Sequence, residues 1–125
     1  MPPAPPTAVK LWTAGFATAA VIQGLFARRF ALGTAWGYSK GWQREIAIWN
    51  LGTLTTVAAL RRGIDVDRSL IAGFAVLSSL FGANHLDAAL RSRRSWSNWL
   101  GASGNGVALA VGLAALASER SLTRG

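Results

Sequence analysis

The chain is 125 residues long, which is enough for one domain. It contains no cysteine, and this excludes disulfides, thiolate metal sites and cysteine nucleophiles. Charged residues make up only 14% of the chain, against about 25% in a soluble globular domain. With 14 glycines and a mean hydropathy of +0.31, the composition is typical of membrane helices rich in small residues, whose backbones can approach one another closely.

The formal net charge is +8, and its distribution along the chain indicates the class of partner. Lysines and arginines fall in short groups, and the stretches between these groups carry almost no charge. Nucleic-acid binding would require the apolar stretches to form the core of a very small soluble protein. Basic groups between apolar stretches are instead typical of membrane proteins, in which they lie near anionic headgroups. We therefore expect a lipid bilayer, and no nucleic acid, as the partner.

The chain begins with a proline-rich segment and continues into a first apolar stretch. Residues 1–8 contain all four prolines, and we expect an extended lead-in there because proline does not continue a helix. Residues 11–27 are apolar and end at a pair of arginines, which indicates a first transmembrane helix. The connector that follows, residues 30–44, is rich in glycine. It also carries three aromatic side chains that suit a membrane–water interface: Trp36, Tyr38 and Trp42.

Three further helices are predicted along the rest of the chain. The second is predicted at residues 45–61, although its apolar part is shorter than the ~20 residues that normally span a bilayer. A charged turn that contains Gly63 separates it from the third helix, at residues 69–90. A basic turn then leads to the fourth helix, at residues 97–118, and a polar tail follows at 119–125.

These elements predict the fold class. Strand-like alternation is absent, and the alanine and leucine content favours helices. Four helices with short connections predict an up-and-down antiparallel bundle. We therefore expect an all-α integral membrane four-helix bundle over residues 9–118. Basic residues are divided almost equally between its two ends, so the positive-inside rule does not fix its orientation.

Antiparallel pairing of the second and third helices predicts which polar residues meet. With the turn centred near residues 64–65, Glu45 lies at the depth of Asn84 and next to His85. A polar group in hydrocarbon is costly unless it is paired, so these side chains should face inward and meet. Further polar residues are expected at the same end of the bundle: Gln23, Asn50, Asp87, Asn98, Ser103 and Asn105.

Two interpretations of this polar cluster remain open. In the first, its side chains hydrogen-bond across helices and hold the bundle together. In the second, Glu45 and His85 titrate and the asparagines orient a proton or a small ligand. His85 is the only histidine, and it could also serve as an axial ligand to a haem or chlorophyll-type metal. No other metal site is predicted, and no cofactor is otherwise implied.

The stretch QREIAIWNLG at residues 43–52, followed by GANH at 82–85, resembles a family of small DoxX-like four-helix bacterial membrane proteins. In that family a Gln-x-Glu…Asn-Leu-Gly pattern opens the second helix, and a histidine closes the third. The resemblance covers roughly residues 11–118. It implies a four-helix membrane domain and no activity, because the family has no settled one. Carried over by position, the pattern points to Gln43, Glu45, Asn50, Gly52 and His85.

Together these observations favour a non-enzymatic role, since no nucleophile elbow or phosphate loop is present. We expect a multi-pass protein of the bacterial inner membrane that acts as an accessory subunit of a larger complex or as a homo-oligomer. The first alternative is a small-molecule or proton-coupled transporter, or a membrane enzyme, that uses Glu45, Asn50 and His85. The second alternative is a haem- or pigment-binding subunit.

Overall fold

The computed structural model describes residues 5–34 and 37–122. In this part of the chain every regular element is a helix, which confirms the all-α prediction. Residues 1–4 of the predicted lead-in, Trp36 of the connector and residues 123–125 of the predicted tail lie outside the described residues. The helices, in chain order, are α1 (Pro5–Leu25), α2 (Ala27–Leu32), α3 (Lys40–Arg61), α4 (Val66–Arg91) and α5 (Trp96–Leu122).

The helix boundaries differ from the predicted ones at both ends of the chain. The first helix begins at Pro5, inside the segment expected to be extended, because a proline in the first helical turn needs no backbone N–H partner. It ends at Leu25, and the arginine pair that follows lies in the short helix α2. The last helix continues to Leu122, within the expected polar tail. The described chain therefore has five helices in place of four.

Helix α3 is longer than its apolar sequence suggests. It begins at Lys40, so residues 40–44, the end of the predicted connector, belong to the helix. With 22 residues the helix is about 33 Å long, close to the thickness of a bilayer's hydrocarbon core. Its polar first turns lengthen the helix beyond residues 46–60, but α3 is not among the described helices that are apolar enough to cross a membrane.

A tight turn fixes the antiparallel register of α3 and α4. The N–H of Ile64 donates to the carbonyl of Ala59 (3.2 Å), and the N–H of Gly63 donates to that of Leu60 (3.1 Å). This is the hydrogen-bond pattern of a Schellman cap, and Gly63 supplies the left-handed residue with φ of +75°. Asp65 then caps α4 by accepting from the N–H of Arg68 (3.0 Å).

The long helices form a single open layer. Helix α1 packs on α3, α3 packs on α4, and α4 packs on α5. Within the described residues, α1 makes no backbone-level contact with α4 or α5, and α3 makes none with α5. The prediction of a closed bundle is therefore wrong. Helices that follow one another in the chain do pack side by side, as in an up-and-down bundle, apart from the short helix α2.

Small residues allow the two central helices to pack closely. A Cβ at Gly73 of α4 would overlap the hydroxyl oxygen of Thr56 and would lie 3.1 Å from the carbonyl oxygen of Gly52. A Cβ at Gly52 of α3 would overlap the side chain of Leu77. Close backbone approach at glycines is a common way for helices to associate in membranes, where apolar burial contributes little.

The layer buries few apolar side chains. Among the residues whose side chains the structure describes, five are buried, four of them alanines: Ala31, Ala47, Ile48, Ala59 and Ala89. The accessible surface is 9018 Å², against about 6,400 Å² for a soluble monomer of this mass. Two described helices, Val66–Arg91 and Trp96–Ala117, are long and apolar enough to cross a membrane. Of an 18-residue apolar window in each, 11% and 0% of the residues are buried in the layer.

Candidate functional site

The polar residues predicted to form one cluster lie on two opposite sides of α3. Successive residues of a helix are rotated by about 100°, so Gln43 and Glu45 point to nearly opposite sides. Gln43 faces α1 and α2, where it lines a cavity together with Gln23. Glu45 faces α4, together with its neighbour Arg44. The expected cluster is thus two separate groups.

Glu45 and His85 face each other across α3 and α4. The carboxylate oxygen Oε1 of Glu45 lies 3.9 Å from Nε2 of His85, which is within ion-pair range but longer than a hydrogen bond. The two side chains remain 35% and 28% exposed. The contact is attractive only when the imidazole is protonated, because the neutral ring of the tautomer described below presents a lone pair to the carboxylate.

The second nitrogen of His85 connects α4 to α5. Its Nδ1 lies 3.1 Å from Oδ1 of Asn98. The amide nitrogen of Asn98 donates to the hydroxyl of Ser95 (2.7 Å), so its oxygen is the group that faces the ring. An amide oxygen only accepts, so this contact is a hydrogen bond in the tautomer that carries the proton on Nδ1. Through its two nitrogens, His85 links α3, α4 and the start of α5.

A glycine on α5 makes room for this histidine. A Cβ at Gly101 would lie 2.7 Å from Cγ of His85 and 2.8 Å from Cδ2. The ring therefore lies directly against the backbone of α5. Asn105, one turn further along, donates its amide to the carbonyl of Gly101 (2.8 Å) and so belongs to its own helix.

A second set of charged side chains, centred on Asp87, lies beside the pair of Glu45 and His85. Asp87 accepts from Arg44 of α3 at 2.9 Å and pairs with Arg91 of its own helix at 2.6 Å. Asp87 and Arg91 are four residues apart, which is a favourable spacing for an ion pair on a helix. The carboxylate thus bridges two guanidinium groups, and its charge is balanced within the cluster. We call Arg44, Glu45, His85, Asp87, Arg91 and Asn98 the interhelix cluster.

The other predicted residues take less central positions. Asn84 lines a cavity of about 460 Å³ together with Arg44 and Asp87, next to the interhelix cluster. Asn50 is buried, but its amide donates to the carbonyl of Ile46 in its own helix (2.7 Å). Ser103 likewise donates to the carbonyl of Trp99 (2.9 Å).

Sequence reasoning missed the ion pair of Arg44 with Asp87 and two further contacts for which the sequence does carry a signal. The pairing of Asp87 with Arg91 was available from their spacing alone. The bond between Asn98 and Ser95 could have been found from the helix boundary, since Ser and Asn are frequent where helices begin.

The cluster offers limited means for binding a metal. Among the described residues no group of three His, Asp or Glu side chains could hold a metal ion. Both ring nitrogens of His85 already face protein groups, Glu45 on one side and Asn98 on the other. Axial ligation of a haem or pigment metal would therefore require the ring to leave Glu45 or Asn98.

Comparisons with known families, characterised proteins and solved structures found no match to this chain. The resemblance to DoxX-like proteins accordingly stays a prediction.

Proposed function

We propose that this chain is a small multi-pass membrane protein that acts as a structural or accessory subunit, within a larger membrane complex or as a homo-oligomer. The observation that carries the proposal is the outward-facing apolar surface of an open helical layer. A chain with so small a core is not stabilised by apolar burial in water. In a bilayer the same surface contacts lipid or neighbouring helices at little cost.

The distribution of charge supports insertion of the layer. Most of the basic residues lie in the turns, in α2 or within the first or last five residues of a long helix, and such positions suit the headgroups. Four exposed Trp and Tyr side chains lie at or near the helix ends, where an amphipathic ring suits the interface. They are Tyr38, Trp42, Trp96 and Trp99.

The interhelix cluster supports a structural role. Asp87 is engaged by two arginines, and the Nδ1 of His85 is engaged by Asn98. Side chains committed to one another in this way join helices, and each interhelical hydrogen bond in a membrane contributes about 0.6–2 kcal/mol. The cluster therefore serves best as a clasp for α3, α4 and α5.

The edges of the layer support assembly with other chains. On the outer face of α5, nothing lies within 4 Å of a Cβ built at Gly104. Val107 on the same helix is 65% exposed. Small residues beside exposed apolar ones let a further helix approach closely. The resemblance to DoxX-like proteins agrees with a place in the bacterial inner membrane.

One observation favours a second candidate function, proton transfer. Glu45 and His85 are part-exposed and lie 3.9 Å apart, so a proton or water could come between them. Proteoliposomes that contain a pH-sensitive dye distinguish the two functions. The subunit proposal predicts no proton flux above that of empty vesicles, and the Glu45→Gln variant should behave like the wild type. A flux that the wild type shows and Glu45→Gln lacks would overturn the proposal.

Membrane insertion is tested by alkaline carbonate extraction of membranes from cells that express the full chain. We expect the protein to stay in the membrane pellet. Recovery in the carbonate supernatant without detergent would show that the helices do not span the bilayer.

A further inference from the structure

We propose that the cavity between α1, α2 and α3 binds an uncharged amphiphilic molecule that presents a hydroxyl donor, an alcohol or a phenol, on an apolar body. We call this cavity the glutamine pocket. Its volume is about 560 Å³, and its apolar lining comes from Phe30, Trp42 and Ile46. Its polar lining comes from the amides of Gln23 and Gln43 and from the hydroxyl residues Thr34, which donates to the carbonyl of Ala31, and Ser39. It lies on the face of α3 opposite to the interhelix cluster and shares no residue with it.

Two glutamines that line the pocket have buried amide oxygens without hydrogen-bond donors. The Oε1 atoms of Gln23 and Gln43 are both buried, and neither accepts a hydrogen bond from the described residues. Gln43 is only 8% exposed, so its side chain has little access to solvent. Buried polar groups in folded proteins are nearly always paired, and an unpaired one is costly. Two such oxygens on residues that line one cavity point to a donor that the described residues do not supply.

The walls of the pocket indicate the rest of the ligand. Phe30, Trp42 and Ile46 provide apolar and aromatic surface. Among the described residues that line the pocket, none carries a charge. A cation would find no carboxylate there, and an anion would find no basic group, so both would pay for desolvation without compensation. A neutral donor on an apolar body satisfies both the oxygens and the walls.

The size of the pocket agrees with a small organic ligand. Ligand-binding cavities are commonly 300–1,000 Å³, lined mainly by apolar side chains with a few polar groups that fix orientation. The ligand can come from two sources. It is either a lipid alcohol drawn from the bilayer, such as diacylglycerol, or a water-soluble phenol or alcohol. The lipid source rests on the proposed membrane insertion, whereas the pocket itself does not.

A matched pair of probes tests the donor requirement on the unmodified protein. The full chain is purified in mild detergent and titrated calorimetrically with 4-propylphenol and with 4-propylanisole. The two probes have nearly the same apolar body, but only the phenol donates a hydrogen bond. After subtraction of the titration into protein-free micelles, we expect the phenol to bind at least tenfold more tightly. Equal affinities, or no binding of either probe, would overturn the proposal.

Leucine variants test whether the two glutamines are the acceptors. Leucine has nearly the volume of glutamine and removes the oxygen without leaving an unpaired group. In the double variant Gln23→Leu/Gln43→Leu, we expect the phenol affinity to fall to that of the anisole. The control Asn105→Leu removes an amide at the α4–α5 side and should keep the wild-type preference. Unchanged phenol affinity in the double variant would place the binding elsewhere.

Native mass spectrometry separates the two sources. A hydroxyl-bearing neutral lipid that stays on the wild type and is missing from the double variant supports the lipid source. Delipidated protein that carries no such lipid and still prefers the phenol supports the soluble source. A lipid retained equally by both proteins, together with loss of the phenol preference, counts against the pocket. The binding measurements are made in detergent and do not depend on membrane insertion. The glutamine pocket can therefore be overturned while carbonate extraction supports the membrane subunit, and the pocket can be supported while carbonate extraction contradicts insertion.

Discussion

The imidazole of His85 rests on the backbone of α5 at Gly101, where a Cβ would lie 2.7 Å from Cγ of the ring. This contact places Nδ1 at 3.1 Å from Asn98 and leaves Nε2 facing Glu45. The single histidine of the chain therefore connects three helices, and a residue without a side chain makes that connection possible.

The first prediction concerns Gly101 itself. Gly101→Ala should destabilise the protein by about 1–3 kcal/mol, because the new methyl group displaces the His85 ring from Asn98. The measurement is denaturant-induced unfolding in detergent. Gly106→Ala on the same helix is the control, since its methyl group would meet nothing within 4 Å. That variant should be stabilised by about 0.5–1 kcal/mol through helix propensity. Equal effects of the two substitutions would contradict the packing of His85 on α5.

The second prediction concerns the proton on His85. Because the amide oxygen of Asn98 faces Nδ1, the neutral ring should carry its hydrogen there. Nitrogen NMR of protein labelled at its only histidine measures the tautomer directly. In Asn98→Ala the preference for the Nδ1–H form should disappear, whereas Ser97→Ala should keep it. A wild-type ring protonated mainly on Nε2 would show that the hydrogen bond to Asn98 is not formed.

The third prediction concerns the contact between α3 and α4. Gly73→Ala should destabilise the protein by about 1–3 kcal/mol, since the methyl group would overlap Thr56 and press on the backbone at Gly52. Gly15→Ala in α1 is the control, because nothing lies within 4 Å of its Cβ. Unfolding in detergent should separate the two variants clearly. A Gly73→Ala protein as stable as the wild type would mean that the two helices lie further apart.

The fourth prediction concerns the charged bridge. Asp87→Asn removes the carboxylate that joins Arg44 to Arg91, and we expect a lower Tm and weaker coupling of α3 to α4. Asp67→Asn is a matched control at the other end of the same helix. In a double-mutant cycle with Arg44→Gln, the two losses should be less than additive. Additive effects would show that Arg44 and Asp87 do not interact.

The sequence predicts the depth of polar residues well because a single turn determines it. Gly63 and the cap around it fix the register of α3 against α4, and the contacts between Glu45 and His85 follow from that register. The depth of a residue does not tell which face of its helix the side chain lies on. Depth matching groups Gln43 with Glu45, yet the helical twist sends them to opposite faces, and only the packing of α1 and α2 shows this.

The sequence pattern also does not predict that the layer stays open, or that α3 begins at Lys40. Short connections determine which helices are neighbours, but they leave open whether α1 returns to meet α5. The first residues of α3 include Gly41 and Trp42, which have moderate or low helix propensity and resemble a loop. Tertiary packing of Gln43 and Ala47, both buried, holds this turn in the helix.

The most direct test of the central claim is the protein mass of the particle that mild detergent extracts from carbonate-washed membranes. Light scattering gives this mass after the detergent contribution is subtracted, and one chain has a mass of 13.2 kDa. The account predicts a particle that contains at least two copies of the chain, or the chain together with other subunits. A uniform particle with the protein mass of a single chain would contradict it.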